Sequence, residues 1–193
     1  MKTVALALGG GGARGLAHIP VLEALDEMGV KPMAIAGTSI GALVGAAYAA
    51  GMSGKEMRRY VIGLAHNRGE IMRRVLAARA GTLADLFAGA FGQATQLDAE
   101  RFCAQFVPEA APDDFAQLKI PLIVMATDLH RREEVMLTTG ALRPALAASI
   151  AIPGLFRPVA LGVGNAEHVD RHDDIGVSVQ AIERQRVGGP AVD

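Results

Sequence analysis

Met33-Ala34-Ile35-Ala36-Gly37-Thr38-Ser39-Ile40-Gly41-Ala42-Leu43-Val44-Gly45 is the stretch that decides how this chain folds. Met33 to Ala36 is an apolar run of strand length. Ile40 to Ala50 is a small-residue helical segment that Gly51 stops. Between them stands Gly-x-Ser-x-Gly, the pattern of a sharp turn that lifts a serine off the end of a strand. A serine hydroxyl is a weak nucleophile, so it must be exposed, oriented and deprotonated by a neighbour. Such a turn supplies the first two conditions, because Gly37 and Gly41 remove the side chains that would clash in so tight a bend. The following helix N-terminus adds free N–H groups and partial positive charge beside Ser39. The same region has a second reading. Pro32 to Met52 is uncharged over about the length that spans a bilayer. It also holds Gly37, Gly41 and Gly45 at the spacing of a membrane dimer motif. Strand, turn and helix in a packed α/β core account for the same letters, and that reading is preferred.

Toward the N-terminus, Lys2 to Leu8 reads as a buried strand and Leu16 to Met28 as an amphipathic helix ended by Gly29, with Pro20 in its first turns. Strand, loop, helix, strand, turn, helix signals an α/β protein with a mostly parallel central sheet covered by helices. The loop is Gly9-Gly10-Gly11-Gly12-Ala13-Arg14-Gly15. A glycine run lets backbone N–H groups approach a developing oxyanion closely. Gly10 to Gly15 also fits the dinucleotide fingerprint, which expects an acidic residue about twenty positions on. No acid occurs from Pro32 to Met52, and no Gly-Lys-Ser/Thr follows to make a phosphate-binding loop. The serine turn therefore favours the oxyanion reading.

Farther on, Lys55 to Ala80, Leu83 to Phe91 and Ala99 to Phe106 read as helices, the last capped by Asp98. Ile120 to Thr127 is a buried strand, Glu133 to Thr138 a hairpin arm, and Leu142 to Ser149 a helix stopping before Pro153. From Val163 the texture becomes polar and turn-like. The expected organisation is an acyl hydrolase domain over 1–162 and a divergent or truncated tail over 163–193.

The 193 residues suit one domain, and with 51% hydrophobic residues a large core is expected. The net charge of -1 gives no electrostatic case for nucleic acid. Cys103 is the one cysteine, so neither an intrachain disulfide nor a multi-cysteine metal site can form, and a cytoplasmic setting fits. Val4 to Leu8 is too short for a signal-peptide core. Arg58-Arg59, Arg68, Arg73-Arg74 and Arg79 lie among Met57, Ile62, Leu64, Ile71, Met72 and Leu76. Their ordinary reading is a solvated helix face. The alternative is peripheral contact with lipid headgroups at a membrane surface.

The base for Ser39 is less local. Of His18, His66, His130, His168 and His172, only the last two stand late in the chain, where a Ser-His-Asp hydrolase of the usual α/β type places its histidine. Both lie in the irregular tail. A lone histidine such as His18 is more often a packed or surface residue, which leaves a carboxylate as the base.

Three ordered blocks resemble the patatin-like phospholipases, most closely the small bacterial branch. They are Gly10-Gly11-Gly12-Ala13-Arg14-Gly15, Gly37-Thr38-Ser39-Ile40-Gly41 and Ala148-Ser149-Ile150-Ala151-Ile152-Pro153, and the likeness extends to Ala126-Thr127-Asp128-Leu129 and Phe156-Arg157-Pro158-Val159. The resemblance implies a three-layer α/β/α fold and a Ser–Asp dyad with Ser39 as nucleophile. It implies an oxyanion hole from Gly10, Gly11 and Gly12, with Arg14 and Gly15 supporting the loop. Lipid acyl esters are the implied substrates, with no metal and no cofactor. The family's aspartate stands in Asp-Gly-Gly or Asp-Gly-Ala, and this chain has no Asp-Gly. In the corresponding place is Val169-Asp170-Arg171-His172, so Asp170 is the positional candidate, with Asp173 and Asp174 behind it. The alternative is a catalytically impaired patatin-like fold that binds lipid or a partner.

Overall fold

The computed structural model describes residues 3–78, 96–108 and 110–161, and the backbone of 175–177. Strand β1 (Ala5–Leu8) leads through a 3-10 turn (Gly12–Ala17) into helix α1 (His18–Glu27), then β2 (Ala34–Thr38) and α2 (Ile40–Ala49). Helices α3 (Gly54–His66), α4 (Arg68–Ala77) and α5 (Ala99–Phe106) follow. The order then continues with β3 (Leu122–Asp128), β4 (Glu133–Leu137), α6 (Leu142–Ile150), β5 (Val159–Leu161) and β6 (Ile175–Val177).

The strands form one sheet of α/β/α class. β1, β2 and β3 run parallel, with Leu8 opposite Gly37 and Thr38 opposite Met125. β4 returns antiparallel on β3, as the hairpin reading expects, and β5 and β6 extend the sheet at Asp128. The parallel centre brings the C-terminal ends of β1 and β2 side by side. The glycine loop and the serine turn leave from those two ends, so the topology alone makes them neighbours.

Helix α2 lies on one face of the sheet, because a Cβ on Gly45 would stand 3.1 Å from Ile35 Cγ2 and 3.3 Å from Leu122 Cδ1. α6 touches both α2 and β3 and so lies on that face too. Leu22 of α1, Ile35, Val124 and Leu137 of the sheet and Leu142 and Leu146 of α6 are fully buried. On the opposite face Ala5 and Ala7 are exposed and Ala34, Ala36, Ile123 and Met125 are half-buried. The uncharged run from Pro32 to Met52 resolves into strand, turn and a helix of 10 residues. Among the described residues no helix is long and apolar enough to cross a membrane.

Three differences from the sequence reading have physical reasons. The helix expected from Leu16 begins at His18, because the chain leaves Gly11 and Gly12 at φ 137° and 56° and first tightens into a 3-10 turn. The long helical run from Lys55 is two helices, broken at Asn67 with φ -113° and ψ 80°. α3 starts one residue early at Gly54, because Ser53 and Glu56 form a reciprocal capping box. Leu83 to Phe91, Arg79 and most of the 163–193 tail lie outside the described residues.

Cys103 is 1% exposed in α5, and burial pushes its thiol up to about 12. A raised thiol pKa withholds the thiolate, so the folded protein is expected to resist iodoacetamide through pH 9 and to react once unfolded in urea. Mass spectrometry of the adduct checks this; rapid labelling of the native protein at pH 8 would contradict the burial.

Candidate active site

Ser39 is the single residue between β2 and α2, and its backbone sits at φ 53°, ψ -122°. A positive φ on a residue with a Cβ is uncommon and strained, and persists only where surrounding contacts impose it. Those contacts are visible. The Ser39 carbonyl accepts the N–H groups of Ala42 at 2.9 Å and Leu43 at 3.1 Å, which starts the helix. A Cβ on Gly37 would stand 2.6 Å from Ala42 Cα, and one on Gly41 would overlap the Leu8 carbonyl. Both glycines are therefore required by close backbone approach, and Ser39 is left half-buried at the turn.

The Ser39 N–H is held from 110 residues away. It donates to Ser149 Oγ at 2.9 Å, and the Ser149 hydroxyl donates to Met125 O at 2.7 Å. Ser149 is fully buried in α6, so this bridge ties the turn to β3 through a buried hydroxyl. Ser149 stands in the Ala148-to-Pro153 block, where the letters alone show no task for it. The signal that could have found it is a serine in the last turn of a helix that is apolar but for Arg143, at the end where serine is not a preferred cap. Ser149→Ala leaves the Ser39 N–H and the Met125 carbonyl without these partners. It is expected to cost about 1–3 kcal/mol in a urea melt. Because the Ser39 backbone is what loosens, any ester turnover should fall through kcat more than KM.

The glycine loop lies against this turn. A Cβ on Gly10 would be 3.5 Å from the Ser39 Cβ, and one on Gly15 would overlap the Ile40 side chain. The Arg14 N–H donates to Gly11 O at 3.2 Å, so Arg14 closes the loop through its backbone while the residue is exposed. His18 Nε2 lies 2.9 Å from Gly9 O. The carbonyl can only accept, so that nitrogen carries the proton and His18 anchors the root of the loop.

The other titratable candidates separate clearly. Asp128 is buried at the end of β3, where Oδ1 accepts the N–H groups of His130 at 2.8 Å and Arg131 at 3.0 Å, so this carboxylate builds the β3–β4 turn. His66 Nδ1 sits 2.7 Å from Ile62 O on α3. Asp170, Asp173, Asp174, His168 and His172 lie outside the described residues. Among the described residues no group of three His, Cys, Asp or Glu side chains could hold a metal. Beside the turn an apolar groove of about 280 Å³ opens between Leu16, Ile40, Leu43, Ala47, Tyr60 and Phe106.

An α/β sheet with a strained serine between strand and helix, flanked by a glycine loop from the adjacent strand, has the layout of a nucleophile-elbow protein. The profile of the patatin-like phospholipases matches residues 6–170, and the chain belongs to that family, a class of lipid hydrolases. It is similar to an NTE family protein of Mycobacterium tuberculosis, 39% identical over 155 residues, covering 80% of this chain and 39% of that protein. A shorter stretch of 48 residues is 60% identical to patatin-like phospholipase domain-containing protein 6 of Mus musculus, covering 25% of this chain and 4% of that one. The crystal structure of VipD from Legionella pneumophila shares the fold, with a TM-score of 0.51 at 16% identity over 94% of this chain and 46% of that chain. The chain thus spans about two-fifths of the length of its mycobacterial relative.

Proposed function

We propose that this chain is a serine hydrolase of lipid acyl esters. The observation that carries the reading is the Ser39 backbone at φ 53° with the glycine loop packed beside its Cβ. In the proposed reaction the Asp170 carboxylate takes the proton from Ser39 Oγ, which attacks the acyl carbonyl carbon. The N–H groups of Gly10, Gly11 and Gly12 hold the oxyanion. Collapse breaks the bond to the leaving alcohol, whose oxygen takes the proton back from Asp170. Water, deprotonated by the same carboxylate, then attacks the acyl-serine ester; the Oγ–acyl bond breaks, the fatty acid leaves, and Ser39 Oγ takes its proton back from Asp170. A free carboxylate has a pKa far below neutrality, so it serves as a base only when close to the hydroxyl and partly desolvated. No step calls for a metal or cofactor.

Ile62, Met72 and Leu76 are exposed on α3 and α4 among arginines, which suits peripheral contact with a lipid surface and a cytoplasmic enzyme working there. The absence of Asp-Gly from the chain favours a second reading, a fold that keeps lipid binding and has lost turnover. Hydrolysis of p-nitrophenyl esters by the wild type and by Asp170→Asn separates the two. Turnover that disappears in a folded Asp170→Asn supports the dyad. Wild-type protein that neither turns over esters nor reacts with a fluorophosphonate supports the impaired reading.

A further inference from the structure

We infer that the groove beside Ser39 takes one acyl chain of medium length and that helix α2 measures it; this rests on the hydrolase reading above. The groove starts at the residues next to the serine turn and the glycine loop. Leu16 follows Gly15 of the glycine loop and Ile40 follows Ser39, and both line it. From Ile40 it runs past Leu43 and Val44 to Ala47, seven residues along α2, or about 10 Å at the helical rise. Ala47 and Met57, 4% and 3% exposed, form its buried floor.

The lining has one chemistry. The hydroxyl of Tyr60 donates to Phe106 O at 3.2 Å, so it is engaged with the wall itself. The remaining lining side chains are hydrocarbon or methionine. Such a surface recognises an alkyl chain and offers little to a sugar, a peptide or a headgroup, all of which would leave polar atoms buried without partners. Size sets the rest. The volume is about 280 Å³. The run along α2 is about 10 Å, and an extended chain advances about 1.2 Å per bond, so about eight carbons span it. The polar end of the substrate stays outside, at the Ser39 turn.

The test compares kcat/KM on p-nitrophenyl esters from butyrate to hexadecanoate for the full chain and two variants of opposite sign. Wild type should be fastest near the octanoate and decanoate esters. Ala47→Leu raises the floor and should lower the decanoate-to-butyrate ratio at least tenfold. Leu43→Ala widens the groove and should raise the hexadecanoate-to-decanoate ratio. A wild-type optimum at hexadecanoate, or ratios unmoved in both folded variants, overturns the inference. A groove occupied by protein rather than substrate would show that result too, with lost stability in place of a changed profile. If no ester is turned over, the hydrolase reading fails on its own, and the groove is read by displacement of anilinonaphthalene sulfonate. Decanoate should then displace the dye at least tenfold better than hexadecanoate, and Ala47→Leu should remove that preference. Equal displacement by the two acids overturns the groove assignment.

Discussion

Ser39→Ala is expected to lower ester turnover by about 10⁴- to 10⁶-fold and to abolish fluorophosphonate labelling, in a protein that still folds. The size follows from the role. Losing the nucleophile removes the covalent route and leaves only the oxyanion donors and binding to act on the ester. The fold should survive because the bonds that shape the turn are made by the Ser39 backbone. Its N–H reaches Ser149 Oγ and its carbonyl starts α2, so neither depends on the hydroxyl. Alanine at φ 53° carries about the same backbone strain as serine. Labelling stoichiometry by intact mass, with circular dichroism as the folding control, reads the outcome. Undiminished labelling of Ser39→Ala would remove the proposed mechanism outright.

The strand, turn and helix around Ser39 and the glycine run before α1 are legible in the sequence because short apolar runs and glycines mark them. Gly37 is required within its own turn, and the strand and helix on either side of Ser39 are short, apolar and cleanly punctuated, whereas Gly41 and Gly15 answer to the Leu8 carbonyl and the Ile40 side chain across the fold. α2 ends at Ala49 where the letters suggested Ala50. Ser149 was not assigned a task because its two partners, Ser39 and Met125, are distant in sequence and meet it only through the sheet. The break at Asn67 has a signal in Asn67-Arg68-Gly69, which the helix formers farther out on both sides outweighed. His18, read as a packed or surface residue, turned out to hold Gly9, a contact that follows from the 3-10 turn and not from helical periodicity. The base is the hardest part to read, since the tail around Asp170 carries neither a glycine signature nor a hydrophobic period to place it.

Gly41→Ala sets two local rules against each other. Gly41 sits at the second position of α2, where alanine is intrinsically better than glycine by about 1 kcal/mol. Its Cβ, however, would overlap the Leu8 carbonyl and stand 2.7 Å from Gly9 O. Both obstacles are backbone, so no rotamer change relieves them. Either β1 and the glycine loop shift away from α2 or the helix start does. Overpacking of this kind costs about 1–3 kcal/mol when side chains can yield and more when backbone must move. Steric exclusion should therefore outweigh propensity, with a net loss above about 3 kcal/mol in urea unfolding. Gly63→Ala provides the contrast. Gly63 is exposed in α3 with nothing within 4 Å of a new Cβ, so there the helix preference acts alone and stability should rise by up to about 1 kcal/mol. Whatever Gly41→Ala protein does fold should also lose ester turnover, because the yielding segment is the loop that would hold the oxyanion. Wild-type stability and activity in Gly41→Ala would mean that the loop does not sit against the elbow, and the oxyanion assignment would go with it.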